Sequence, residues 1–172
     1  RRGVLAALET APDHVGFLDA DLATPLEAIP GFVATLERRP DVQMVFGARV
    51  KLLGRTIERR AVRHYLGRVF ATFASLALRL PIYDTQCGAK MFAATPRLAA
   101  WLDRPFLTRW IFDVELLARA LQDMRASGED PEVRIVELPL EEWTDIAGSK
   151  VRPGDFLKAA VELLRIRLKY RS

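Results

Sequence analysis

The apolar run Val15-Gly16-Phe17-Leu18 stops at Asp19-Ala20-Asp21, and a helix-start pattern follows almost at once. A run this short and this apolar suits a strand buried on both faces. Its two carboxylates then fall at the strand's C-terminal end, where α/β folds gather their ligands. Thr24-Pro25-Leu26-Glu27 supplies the helix signal, with Thr24 as N-cap, Pro25 at the first helical position and Glu27 closing a capping box. The acidic pair is therefore expected on a strand-to-helix loop.

The same alternation continues along the chain. Residues 42–46 read as a second buried strand, ending in Gly47-Ala48-Arg49. Residues 57–78 read as a long helix, with Val62, Leu66, Val69, Phe73 and Leu76 on the side expected to face the core and Arg59, Arg60 and Arg63 on another. The segment Asp84-Thr85-Gln86-Cys87-Gly88-Ala89-Lys90 then sets a carboxylate, a turn glycine and a cation close together. Residues 112–124 form another helix pattern. Asp113 heads its apolar face, three and four residues before Leu116 and Leu117, whereas Glu115 falls on the other side, four before Arg119, as a surface ion pair. Residues 133–138 read as a strand, 143–150 as a polar loop and 155–169 as a final amphipathic helix. Residues 1–8 read as the end of a helix already under way, so a preceding N-terminal portion is expected. The fold class is α/β, with residues 1–172 forming one domain, or part of one, without internal repeats.

Composition narrows the function. At 172 residues, with half of them apolar and 28% charged, the chain is long enough for a core and is not of disordered type. One cysteine, Cys87, excludes an intrachain disulfide and a zinc-type cysteine cluster, and points to a reducing compartment. The apolar stretch 69–80 contains Thr72, Ser75 and Arg79 and is too short to cross a bilayer. The net charge of +4 is concentrated in two groups, Arg55, Arg59, Arg60, Arg63 and Arg68, and Arg165, Arg167, Lys169 and Arg171. Such patches attract phosphates. Aromatics interleaved with the cations would favour nucleic acid as the partner. Phe70 and Phe73 instead fall with the expected core positions, so nucleic acid is not expected. His14 and His64 stand alone and receive no role.

The order of motifs resembles a known family. Asp19-Ala20-Asp21, Gly47-Ala48-Arg49, Asp84-Thr85-Gln86-Cys87-Gly88-Ala89-Lys90-Met91-Phe92, Trp110-Ile111-Phe112-Asp113-Val114-Glu115-Leu116-Leu117, Trp143-Thr144 with Gly148-Ser149-Lys150, and Ile166-Arg167-Leu168-Lys169-Tyr170 look like the dolichyl-phosphate glucosyltransferases. These are inverting family 2 glycosyltransferases of GT-A fold, a Rossmann-like mixed sheet flanked by helices. The resemblance covers nearly the whole chain. It implies a truncated catalytic domain, because the family's N-terminal nucleotide-binding part, with a Pro-Ala-Tyr-Asn-Glu-like strand end, is missing from this sequence.

The resemblance implies transfer of a hexose, glucose from UDP-glucose, to a polyprenyl or dolichyl phosphate at the cytoplasmic face of a membrane. Mannose transfer, transfer to a hydroxyl acceptor, and a catalytically silent phosphate- or nucleic-acid-binding domain are the other readings. A departing diphosphate needs its charge neutralised, and Mg²⁺ or Mn²⁺ held by carboxylate oxygens does this as a Lewis acid. Asp21 is the expected primary metal ligand, with Asp19 assisting or binding the ribose, and Lys150 resembles a mobile-loop cation that reaches the donor diphosphate. A phosphate acceptor is already largely ionised near neutral pH, since its second pKa is about 6. It needs cations more than a base, and Arg49, Arg60, Arg63 and Lys90 are the candidates. Asp113 matches the catalytic aspartate of relatives that act on hydroxyl acceptors, and Asp84 is read as binding sugar hydroxyls or fixing the Lys90 segment.

Overall fold

Short apolar runs and longer amphipathic ones alternate, and the fold follows that alternation. A computed structural model describes residues 1–58, 61–146 and 153–170, with the side chains of 61–64 and 153–157 outside the described set. In chain order the elements are α1 (Arg2–Leu8), β1 (His14–Phe17), a 3₁₀ turn (Leu26–Ala28), α2 (Ile29–Arg38), β2 (Met44–Ala48), β3 (Thr56–Glu58), α3 (Ala61–Leu78) and β4 (Lys90–Ala93). They continue with α4 (Pro96–Leu102), α5 (Phe112–Ala126), α6 (Pro131–Arg134), β5 (Ile135–Pro139), β6 (Glu142–Thr144) and α7 (Pro153–Lys169).

The main sheet has the order β1-β4-β2-β5. β4 runs antiparallel to both β1 and β2, and β2 runs parallel to β5. Strands β1, β2 and β5 therefore point the same way, and their C-terminal ends share one edge with the N-terminal end of β4. β2 is buried at all five positions, as expected for a strand covered on both faces. On one face Val15, Met44, Phe46 and Phe92 pack with α1, α3, α4, α5 and α7. On the other, Val45 and Met91 pack with α2, Leu140 and Trp143. Alternation along the strands thus feeds two cores.

Several expectations need correction. Thr24 caps no helix: it is buried, a 3₁₀ turn begins after Pro25, and α2 starts at Ile29 without a side-chain cap. Ile57 is not helical. It lies in β3, which pairs in parallel with β6 through Ile57 and Trp143, both buried. β4 is a strand that the sequence pattern does not predict, yet Lys90-Met91-Phe92-Ala93 is an inner strand paired on both sides. The α3 face is also reversed. Ala71, Ala74 and Leu78 face the core, whereas Leu66, Val69, Phe73 (60% exposed) and Leu76 (63%) are exposed. Small alanines let α3 approach the helical layer closely, and the larger residues line a groove of about 520 Å³ against Leu163 and Leu164 of α7. Among the described residues no helix is long and apolar enough to cross a membrane.

Candidate active site

The shared edge of the sheet collects the chemistry-bearing residues. Asp19 and Asp21 follow β1 and are both exposed. The Asp21 carboxylate accepts a hydrogen bond from the Ala23 amide at 3.1 Å, which holds it in a tight turn. Gly88 has no space for a side chain because the Asp19 carboxylate lies where a Cβ would be. That contact joins the loop after β1 to the loop before β4.

Two ion pairs lie beneath the exposed carboxylates. Arg49, just past β2, makes a forked pair with Asp84: Nε to Oδ2 at 2.7 Å and Nη2 to Oδ1 at 2.8 Å. The Arg49 amide also donates to Asp84 Oδ2 at 3.1 Å. Burial alone would lower the pKa of this guanidinium, but the hydrogen bonds and charge of Asp84 outweigh it and hold the group more firmly protonated. The Arg49 guanidinium lies 5.1 Å from the centre of the Trp143 ring, so β6 also supports it.

The second pair is Lys90 with Asp113. Lys90 opens β4 directly between Phe17 and Phe46 in register and is 1% exposed. Its ammonium lies 5.6 and 5.0 Å from those two rings, donates to the Cys87 carbonyl and meets Asp113 Oδ2 at 3.4 Å. Asp113, in the first turn of α5, points inward as its spacing predicts, and its Oδ1 has no hydrogen-bond partner among the described residues. Burial pushes its carboxyl pKa up, against the opposing pull of Lys90, and the neighbouring Asp19 and Asp84 charges push the same way. Cys87 is buried, and its thiol pKa is raised chiefly by that burial.

Asp19, Asp84, Asp113, Arg49 and Lys90 are thus brought together. Arg60 and Lys150 lie outside the described residues, as does the side chain of Arg63. No group of three or more metal-type ligands occurs among the described residues. The donor set present, two exposed carboxylates on one loop, nevertheless suits a hard divalent cation that takes one or two carboxylates and completes its shell with phosphate oxygens and water.

No protein-family model matches the chain. Curated proteins do. A dolichyl-phosphate beta-glucosyltransferase of Trichomonas vaginalis is 31% identical over 170 residues, 96% of this chain and 47% of that protein. One from Dictyostelium discoideum is 30% identical over 99% of the chain and 50% of its own length. That of Saccharomyces cerevisiae is 33% identical over 66% of the chain and 31% of its own length. This chain is a homologue of the dolichyl-phosphate beta-glucosyltransferases. Its mixed sheet flanked by helices matches a GT-A type domain. The chain spans about half the length of the curated relatives it matches.

Within this glucosyltransferase-like domain, sequence reasoning missed one residue beside the site. Glu137 on β5 accepts the main-chain amides of Tyr83 at 2.6 Å and Asp84 at 2.7 Å. A signal existed: Glu137 lies two residues after Ile135, on the alternation of a strand whose Ile135 belongs to the larger core. Glu115 was misread. It is no surface partner of Arg119 but is 0% exposed, accepting the Leu107 and Thr108 amides, the Arg119 guanidinium and the Tyr170 hydroxyl.

Proposed function

We propose that the protein transfers glucose from UDP-glucose to a dolichyl or related polyprenyl phosphate, with inversion, at the cytoplasmic face of a membrane. The observation that carries this reading is the convergence of the exposed Asp19–Asp21 loop on the buried Arg49–Asp84 and Lys90–Asp113 pairs, in a homologue of proteins named dolichyl-phosphate beta-glucosyltransferases. Asp21, with Asp19, would hold Mg²⁺ or Mn²⁺, which supplies charge neutralisation for the departing diphosphate. Lys150 would approach the same diphosphate. Arg49, fixed by Asp84, and Arg60 and Arg63 would face the acceptor phosphate, letting two anionic reactants approach. Lys90 acts here through Asp113 and the main chain, because its ammonium is enclosed by protein. The exposed apolar face of α3, with the groove against α7, suits contact with a bilayer surface.

One observation favours a second reading. The Oδ1 of Asp113, without a hydrogen-bond partner among the described residues, together with its raised pKa suits a general base toward a hydroxyl acceptor. Acceptor titrations at saturating donor, between about pH 5.5 and 8.5, separate the two. For a lipid phosphate, Asp113→Asn retains measurable transfer, whereas Arg49→Ala and Arg63→Ala raise acceptor KM and lower kcat. A folded Asp113→Asn protein that is dead at every pH, beside unimpaired arginine variants, would overturn the phosphate acceptor in favour of a hydroxyl.

A further inference from the structure

Glu137 spends a negative charge on two consecutive main-chain amides. Its position on β5 shares a sheet face with Ile135, and an apolar residue there would extend the core. Burial raises its carboxyl pKa, although the two amides and Arg68 pull it down. The requirement lies in the geometry. Tyr83 and Asp84 present two N–H donors side by side, each short to a different carboxylate oxygen. A carboxylate offers an acceptor to both, whereas a glutamine offers one oxygen and turns an N–H group on the other. The same main chain is also held at its carbonyl, because Arg68 donates to the Tyr83 oxygen at 2.9 Å and its guanidinium lies 3.6 Å from the centre of the Tyr83 ring.

We infer that Glu137 is a positioning residue for the acceptor side, clamping the Tyr83–Asp84 main chain and thereby setting the Asp84–Arg49 pair. With the main chain fixed, Asp84 Oδ1 accepts from Arg49 and from the Gln86 amide at 3.2 Å, and Oδ2 accepts from Arg49 twice. The direction of the Arg49 guanidinium is inherited from that arrangement. Release of the clamp lets Asp84 and Arg49 move together, so an acceptor anion meets a displaced cation while the donor loop after β1 stays in place. The inference rests on the transferase reading above.

The test compares Glu137→Gln, Asp84→Asn and the double variant of the full-length protein in transfer from UDP-glucose to a polyprenyl phosphate. Glu137→Gln is expected to raise acceptor KM about tenfold, the effect of one charge-assisted hydrogen bond, with donor KM within about twofold of wild type. The double variant should be no worse than the worse single variant, because both act through one unit. Additive losses, or equal shifts in both KM values, would overturn the inference. Amide hydrogen exchange supplies an activity-independent arm: peptides covering 80–90 should exchange faster in Glu137→Gln while those of α5 do not. If wild type glycosylates no polyprenyl phosphate, the transferase reading falls, and unchanged exchange at Tyr83 and Asp84 then sinks the clamp by itself. Should Glu137→Gln fail to fold, Glu137→Asp keeps the charge but loses reach, and a normal acceptor KM in that variant contradicts the proposal.

Discussion

Gly88 and Asp19 are packed so closely that a methyl group on Gly88 would overlap the Asp19 carboxylate. Gly88→Ala is expected to displace Asp19 more than it unfolds the domain. Transfer should drop by about a hundredfold, the scale of an ångström-level misplacement, with the melting temperature nearly kept. Full activity in a folded Gly88→Ala protein would separate Asp19 from the chemistry. Asp113 makes a prediction of its own. Its folded pKa is raised, chiefly by burial, above the unfolded value of about 3.9. Between those two values the native state holds the proton and the unfolded state does not, so the contribution of Asp113 to stability is present at low pH and lost as pH rises through its folded pKa. Urea unfolding of wild type and Asp113→Asn across that window should show the variant gaining relative to wild type as pH rises. Curves that stay parallel would show that burial does not control this carboxylate.

At the scale of elements, Glu115 binds the 107–108 turn, α5 and the Tyr170 end of the chain's last described helix into one unit. Glu115→Ala removes the partner of a nearly buried Arg119 and is expected to cost about 3–5 kcal/mol, read as a loss of melting temperature. The two faces of α3 should respond differently. Ala74, fully buried, has no space, so Ala74→Leu should destabilise by about 1–3 kcal/mol. Phe73→Ser on the exposed face should change stability by under about 0.5 kcal/mol while weakening sedimentation with anionic vesicles, and unchanged vesicle binding would remove α3 from membrane contact. The pattern of what could be read beforehand follows from these cases. β1, β2, α5 and α7 were legible because length and periodicity suffice for them. The inner face of α3 was not, because apolar residues surround that helix and close packing of Ala71 and Ala74 decides the matter. β3 was hidden because three residues between charges take strand form only by pairing with distant Trp143. Glu115 and Arg119 at i and i+4 fit a surface pair equally well until the amides of the turn are known. Asp19, Asp21, Arg49, Asp84 and Lys90 were legible as candidates through their motifs, whereas the pairing of Arg49 with Asp84 and Lys90 with Asp113 belongs to tertiary structure.

For the whole molecule, sheet direction is what turns separated motifs into one site. Strands β1, β2 and β5 end at the edge where β4 begins, so residues from 19 to 137 meet there. The chain covers about half of its relatives' length, and the decisive measurement therefore uses the full-length protein. It is incubated with a panel of nucleotide-sugars, a divalent cation and a polyprenyl phosphate, and any glycolipid is identified by mass and sugar content. The account predicts a polyprenyl phosphate glucose formed from UDP-glucose, with turnover lost by orders of magnitude in a folded Asp21→Asn variant and in excess chelator. No glycolipid from any donor, or undiminished transfer in both the variant and the chelator, would contradict it.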